Sequence, residues 1–359
     1  MKTKRLTWIA VLALLTAALL SACSGGSQTS TNWHGLSADA DRAYLSNGGF
    51  VFAVDLKNGA QLWRFPAEAD SKLMFYAAPV LTEDGQLLAG SAGSNHALFS
   101  LDPATGKENW AQPFSKNKGA WIASPLALNG AIYAPNTDGF LYTLDMQGKE
   151  SAAPIELGGA LWSAPAAANG LLYVSSLDHH LHILNPANPA EIQTIDVGGA
   201  LPSSAVPAQG GVYVGSFASK VTFVTSDGAV KTIAEAKNWI WGAPMVDGET
   251  LYYADLSGNI VSVNLKSGQS NWNAAQSGDS VVGSLLAQGG QIYAALESGS
   301  LIALDQDGKL VWDKTVGGKI YTAPIAANDL ILVAPYQADF ALAAYDAQGK
   351  QAWTFTPEK

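Results

Sequence analysis

Cysteine occurs once in the 359 residues, at position 23, so no internal disulfide can form. Charge is also scarce: 14% of residues are Asp, Glu, Lys or Arg, against about a quarter in an average soluble domain. The 20 basic side chains are outnumbered by 30 acidic ones, for a net charge of −10. A sequence-independent grip on nucleic acid needs clustered Lys and Arg, which excludes that class of function. No Gly-x-Ser-x-Gly elbow, His-Glu-x-x-His pair, P-loop or EF-hand loop is present, and after residue 22 no helical period is found.

What is abundant is glycine (36 residues) and aromatic side chains (11 Trp, 12 Tyr, 11 Phe). Together with 48% hydrophobic residues they exclude disorder, a coiled coil and an ordinary helical bundle.

The N-terminus reads as an address. Lys2, Lys4 and Arg5 precede an uncharged apolar run from Leu6 to Leu20, followed by Leu20-Ser21-Ala22-Cys23. A basic start, an apolar run too short to span a bilayer and small residues at a cleavage point describe an export signal over 1–22. Leu-Ser-Ala-Cys resembles the lipobox of bacterial lipoproteins, in which the cysteine becomes the acylated N-terminus; Cys23 is the lipidation candidate. Residues 23–31, rich in Ser, Gly and Thr, read as a flexible tether. Removing 1–22 leaves 17 basic against 30 acidic side chains, a net of −13. Such a body has no electrostatic affinity for an anionic membrane, so acyl chains would hold it. Ser24 follows Cys23 where an Asp retains many lipoproteins in the inner membrane. In a source with two membranes this points to the periplasmic face of the outer one, and otherwise to the outer surface of the cell membrane.

Residues 32–359 repeat one motif. It reads VDLKNGAQLW (Val54 to Trp63), LDPATGKENW (Leu101 to Trp110), VNLKSGQSNW (Val263 to Trp272), ALDQDGKLVW (Ala303 to Trp312) and AYDAQGKQAW (Ala344 to Trp353). Its turn glycine recurs at Gly59, Gly106, Gly148, Gly228, Gly268, Gly308 and Gly349, with a degenerate copy near Asn188. The mean spacing of about 41 residues lies in the range of four-stranded propeller blades. An Ala-Pro landmark (Ser-Pro at Pro125) and a Tyr-bearing strand precede most turns, as at Pro79, Pro125, Pro165, Pro244 and Pro324.

Two apolar columns run through the third strand of every repeat. One begins Val51, Leu98, Leu141; the other, three residues on, begins Val54, Leu101, Leu144. Positions three apart lie on opposite faces of a strand, so each sheet is apolar on both sides and must be sandwiched between neighbours. Eight sheets arranged radially meet that demand: the expected fold is all-β, an eight-bladed propeller of four-stranded antiparallel blades in a single domain. The Asp before each turn is expected to cap backbone N–H groups, and the closing Trp to cover the next blade. Repeats at both ends read as whole, so the ring should close by joining blade 8 to blade 1.

This tandem resembles the pyrroloquinoline quinone (PQQ)-like β-propeller repeat family. The plan of signal, lipobox, tether and eight blades is similar to that of BamB-type lipoproteins, the propeller subunits of the β-barrel outer-membrane protein assembly machinery. The resemblance leaves three functions open. A PQQ-dependent dehydrogenase would, by the family pattern, hold its cofactor with adjacent cysteines, a Trp floor, calcium and an Asp base. This chain has no Cys beyond position 23 and only short loops, so PQQ and calcium are the less favoured reading. A small-ligand or glycan-binding propeller would use aromatics ringing the channel mouth: Trp33, Tyr76, Trp121, Trp162, Trp241 and Tyr321. A non-catalytic, monomeric scaffold for envelope proteins is favoured, since rigid blades with variable loops require no chemistry. Its closing Trp is lost in repeats 3, 4 and 5, at Ala152, Gln193 and Thr232, a sector that partner binding or drift would equally explain. His180 and His182 share one strand face and form a weak metal candidate, but they fall where Phe140 and Tyr142 stand one repeat earlier.

Overall fold

Residues 33–275 and 279–358 are described in the computed structural model; the signal, Cys23 and tether readings lie outside them. The described residues fold into 31 strands in eight antiparallel sheets and contain no helix long and apolar enough to cross a membrane. Blade 1 is a simple meander of Gly35–Ala38, Arg42–Asn47, Phe50–Asp55 and Gln61–Phe65. Six further sheets repeat it over 126–156, 166–196, 206–235, 245–275, 286–315 and 325–355.

Blade 2 departs from the plan. It has three strands, Val80–Leu81, Leu87–Gly90 and Leu98–Leu101, and its fourth edge survives only as isolated bridges Leu98–Phe114 and Leu101–Glu108. Pro113 sits beside the first bridge and has no N–H to give to a ladder.

Both apolar columns are buried as their alternation requires. Val51, Leu141, Leu181, Val221, Ile260, Leu301 and Leu342 are each 0% exposed, and the second column, from Val54 to Tyr345, never exceeds 3%. The two columns feed different cores. Val51 packs with Leu87, Phe99 and Leu101 of blade 2, whereas Val54 packs with Leu342 and Ala344 of blade 8. Eight such clusters exist, one for each pair of adjacent blades, including 8 with 1. The ring therefore closes between whole sheets, with no strand exchanged.

The repeated turn latches each blade to its neighbour. Trp63, Trp110, Trp272, Trp312 and Trp353 donate their indole N–H groups to backbone carbonyls in the next blade's turn, at Pro103, Met146, Gln306, Ala347 and Leu56 (2.7–3.0 Å). Each indole lies over the glycine of that turn, leaving no room for a Cβ. Within the turns, Asp55, Asp102, Asp145, Asp305 and Asp346 accept hydrogen bonds from backbone N–H groups two to four residues on. The register places Ala152 and Gln193 at the latch position of blades 3 and 4; in blade 5 a bulge between Val221 and Thr222 puts Lys231, not the expected Thr232, at that position. Ile195 covers Gly228 in place of a Trp, and Gly268 has nothing over it within 4 Å.

Candidate functional site

The first strand of every blade lines the axis of the ring. The residues leading into these strands border an open recess of about 320 Å³, lined by residues of all eight blades. None of its lining residues is Asp, Glu, Lys or Arg. Trp33, Tyr76 and Trp162 stand in its wall, half-buried, and their rings meet: Trp33 lies 5.4 Å from Tyr76 and 6.1 Å from Trp162.

The other ring candidates are placed differently. Trp241 contacts Phe217 at 5.2 Å, and Phe217 stacks at 4.7 Å on Trp239, which is 49% exposed. Tyr321 sits under the Lys319 ammonium at 5.8 Å. Neither Trp241 nor Tyr321 lines the cavity. Trp121 does not belong to the mouth at all. It is 1% exposed and packs with Phe114 and Tyr142 between blades 2 and 3, over Gly90, where a Cβ would collide. The reason is strand alternation: Ile122 faces the channel, so its neighbour must face the core. Phe75, Leu161, Leu201, Ile240, Val281 and Ile320 form the same buried column, each 0% exposed. Aligning that column would have revealed the register.

Sequence reasoning overlooked a layer of hydroxyls below the aromatics. Ser124, Ser163, Ser203, Ser204, Ser284 and Thr322 all line the cavity, beside His34. Ser124 donates to the Ala78 carbonyl at 2.8 Å, and Ser284 Oγ accepts from the Ala243 N–H at 2.9 Å. Serine is common enough that only the repeat register distinguishes these from surface serines.

The histidine strand is a packed feature. His180 and His182 lie 6.1 Å apart, much as Phe140 and Tyr142 do at 6.3 Å in blade 3. His180 Nδ1 pairs with Asp178 at 3.2 Å, and His182 Nδ1 meets Thr194 Oγ1 at 3.2 Å. No group of three or more His, Cys, Asp or Glu that could hold a metal ion occurs among the described residues. A structural carboxylate not foreseen in the sequence lies in blade 6. Asp255, 0% exposed, accepts from Ser257, Asn259 and the Lys237 N–H. Burial pushes its pKa up, but the hydrogen bonds from Ser257 and Asn259 outweigh it and hold the group below the usual range.

Burial lowers the pKa of His34, against hydrogen bonds to Ala334, Asn47 and Pro335 that raise it, and burial also lowers that of His182. Both are therefore neutral when folded at a pH where the unfolded chain, near 6.5, takes up protons. Their contribution is constant above that value and falls as pH drops below it. Asp39 and Asp255, whose pKa values are lowered, lose their contribution only in the more acidic range, as pH falls from about 3.8 through the folded values. The urea midpoint is thus expected to be lower at pH 5.5 than at pH 7.5, with a smaller difference in His34→Gln. A midpoint independent of pH over this window would contradict the assignment of neutral buried imidazoles.

Eight sheets apolar on both faces, five of them latched to the next by Trp over Gly, around an uncharged axial recess define a PQQ-like repeat β-propeller. The chain belongs to the family described as Outer membrane protein assembly factor BamB, whose model matches residues 47–305 and 282–359. Proteins named Outer membrane protein assembly factor BamB are similar in part. That of Burkholderia pseudomallei (strain K96243) is 30% identical over 114 residues, 32% of this chain and 29% of the relative. That of Legionella pneumophila (strain Paris) is 31% identical over 120 residues, 33% of this chain and 28% of the relative. The chain thus spans less than a third of the length of the relatives it matches. The crystal structure of the computationally designed Ika8 protein superposes with a TM-score of 0.71 over 89% of this chain and 98% of that one. At 11% identity, this is a likeness of fold alone.

Proposed function

We propose that the protein is a non-catalytic, monomeric scaffold of the cell envelope, anchored by lipid on Cys23, that takes part in assembling outer-membrane proteins. The observation that carries this reading is the match of the propeller repeats, from residue 47 to 359, to a family described as an outer-membrane protein assembly factor. Its place would be the periplasmic face of the outer membrane, and its partners envelope proteins of an assembly complex.

The chemistry of the axis supports a scaffold without PQQ or calcium. PQQ is a polycarboxylate, and the axial cavity offers it no Lys or Arg. Calcium needs several carboxylate and amide oxygens, and no Asp, Glu, Asn or Gln lines the cavity. The recurring Trp and Asp residues are engaged in latches and turns, which repeat around the ring. A catalytic group would be needed once.

Cross-linking in intact cells, followed by isolation of the tagged full chain and mass spectrometry, tests the partner class. The expected adduct contains a component that itself resides in the outer membrane as a β-barrel. Adducts confined to soluble enzymes would contradict the scaffold reading.

A further inference from the structure

We infer that the groove between blades 6 and 7 is a docking site for an arginine side chain presented by a protein partner. This names the chemistry of one contact made by the proposed scaffold, and it rests on that reading.

The chain carries its own template for the site. In the five Trp-latched blades, the residue at the start of the second strand lies beside the latch: Arg42, Gln86, Thr250, Gln291 and Leu330. In blade 1 the Arg42 guanidinium fills this place, 3.5 Å from Asp39, and it also attracts Asp102 in the turn of blade 2. Tyr44 donates to the same Asp39 carboxylate at 2.7 Å, and its ring lies 6.1 Å from that of the latch residue Trp63. Two glutamines close the place with hydrogen bonds. Gln86 donates to the Met146 carbonyl at 3.1 Å, and Gln291 Oε1 accepts from the Tyr293 hydroxyl at 3.0 Å. Leu330 packs against the core shared by blades 8 and 1.

Blade 6 keeps the frame and lacks the plug. Tyr252 and Trp272 repeat the Tyr44–Trp63 pair at 5.8 Å, and Asp247 stands where Asp39 does, but Thr250 replaces the arginine. An open groove of about 470 Å³ results. Buried Tyr252 and Ser262 lie deepest in it, Trp272 stands beside them, and the exposed carboxylates of Asp247 and Asp307 face it from blades 6 and 7. No Lys or Arg lines it. Asp247 has no ion-pair partner among the described residues. Asp307 meets Lys309 at 3.6 Å, but both groups are largely exposed, and such a pair exchanges at little cost.

An arginine suits this frame better than a lysine. Its planar guanidinium bonds carboxylates through parallel N–H groups and stacks on aromatic faces, whereas an ammonium is a compact, strongly hydrated charge. The net charge of −13 beyond residue 22 adds long-range attraction for a basic partner.

The indole N–H of Trp272, donated to the Gln306 carbonyl at the groove, reports occupancy in proton–nitrogen correlation NMR of the purified full chain. Its signal is assigned by its loss in Trp272→Phe. The probes are acetyl-Gly-Arg-Gly-amide and the same peptide with lysine or with citrulline, the uncharged isostere of arginine. The signal should move progressively with the arginine peptide, less with lysine and not with citrulline. Thr250→Arg should abolish the movement by filling the groove from within, as Arg42 does in blade 1. Asp307→Asn, a surface change that leaves the fold intact, should weaken the arginine peptide about threefold, as expected for one exposed ion pair. A signal that does not move with the arginine peptide, or moves as far with lysine or citrulline, would overturn the inference. Movement undiminished in Asp307→Asn or in folded Thr250→Arg would overturn it too. The scaffold reading is judged separately, by whether cells depleted of the protein lose folded outer-membrane proteins.

Discussion

Trp353→Ala is expected to cost about 3–5 kcal/mol of stability, the range for emptying a buried large aromatic site. Trp353 is the latch between the last blade and the first, so its loss acts on the joint that closes the ring. The indole is 8% exposed, donates to the Leu56 carbonyl at 2.8 Å and packs with Leu36, Phe52, Val54, Leu342 and Phe355. Apart from this core, a bond from Asn328 Nδ2 to the Ala40 carbonyl also links the two blades across the closure.

Two glycine substitutions separate the latch from ordinary backbone strain. Gly59 and Gly268 occupy the same turn position with left-handed φ of 75° and 70°, so an alanine at either adds about 1–2 kcal/mol of conformational cost. At Gly59 the new Cβ would also lie 2.8 Å from Trp353 Cε3, whereas at Gly268 nothing lies within 4 Å. Gly59→Ala should therefore lower the urea midpoint clearly more than Gly268→Ala. Equal midpoints, or a Trp353→Ala variant as stable as the parent, would show that the ring is not held by its latches.

Cys23→Ala is expected to move nearly all of the protein from the membrane fraction to the soluble fraction with its melting temperature unchanged. Beyond residue 22 the chain carries a net charge of −13, which gives no attraction to anionic lipid. No helix among the described residues can cross a bilayer. Acyl chains contribute about 0.8 kcal/mol per buried methylene, and stable anchoring requires more than one chain, so loss of the acylation site removes the whole affinity. Undiminished sedimentation with membranes after substitution would show that something other than lipid on Cys23 holds the protein.

The architecture was legible because its physics is written eight times. An apolar column repeated at Val51, Leu98 and Leu141, with a second on the opposite strand face, admits only sheets covered on both sides. The recurrence of Trp four residues beyond a turn glycine announced a contact between blades, and the indole-over-glycine latch, made to the next blade's glycine, is that contact. What occurs once was harder to read. The broken edge of blade 2 depends on Pro113 within an otherwise regular motif, and the burial of Asp255 depends on Ser257, Asn259 and Lys237 closing around it. Trp121 was assigned to the channel by adjacency, although a one-residue offset in an extended chain reverses the side-chain direction. The hydroxyl layer was missed because Ser163, Ser203 and Thr322 share a level only once eight strands are set around one axis.

A scaffold for outer-membrane protein assembly is revealed by depleting the protein in its source. The folded fraction of outer-membrane β-barrel proteins is then read by the difference in gel mobility between heated and unheated membranes. The folded fraction is expected to fall on depletion and to return when the full chain is supplied again, while Cys23→Ala restores it poorly. An unchanged folded fraction in depleted cells would contradict a role in outer-membrane protein assembly.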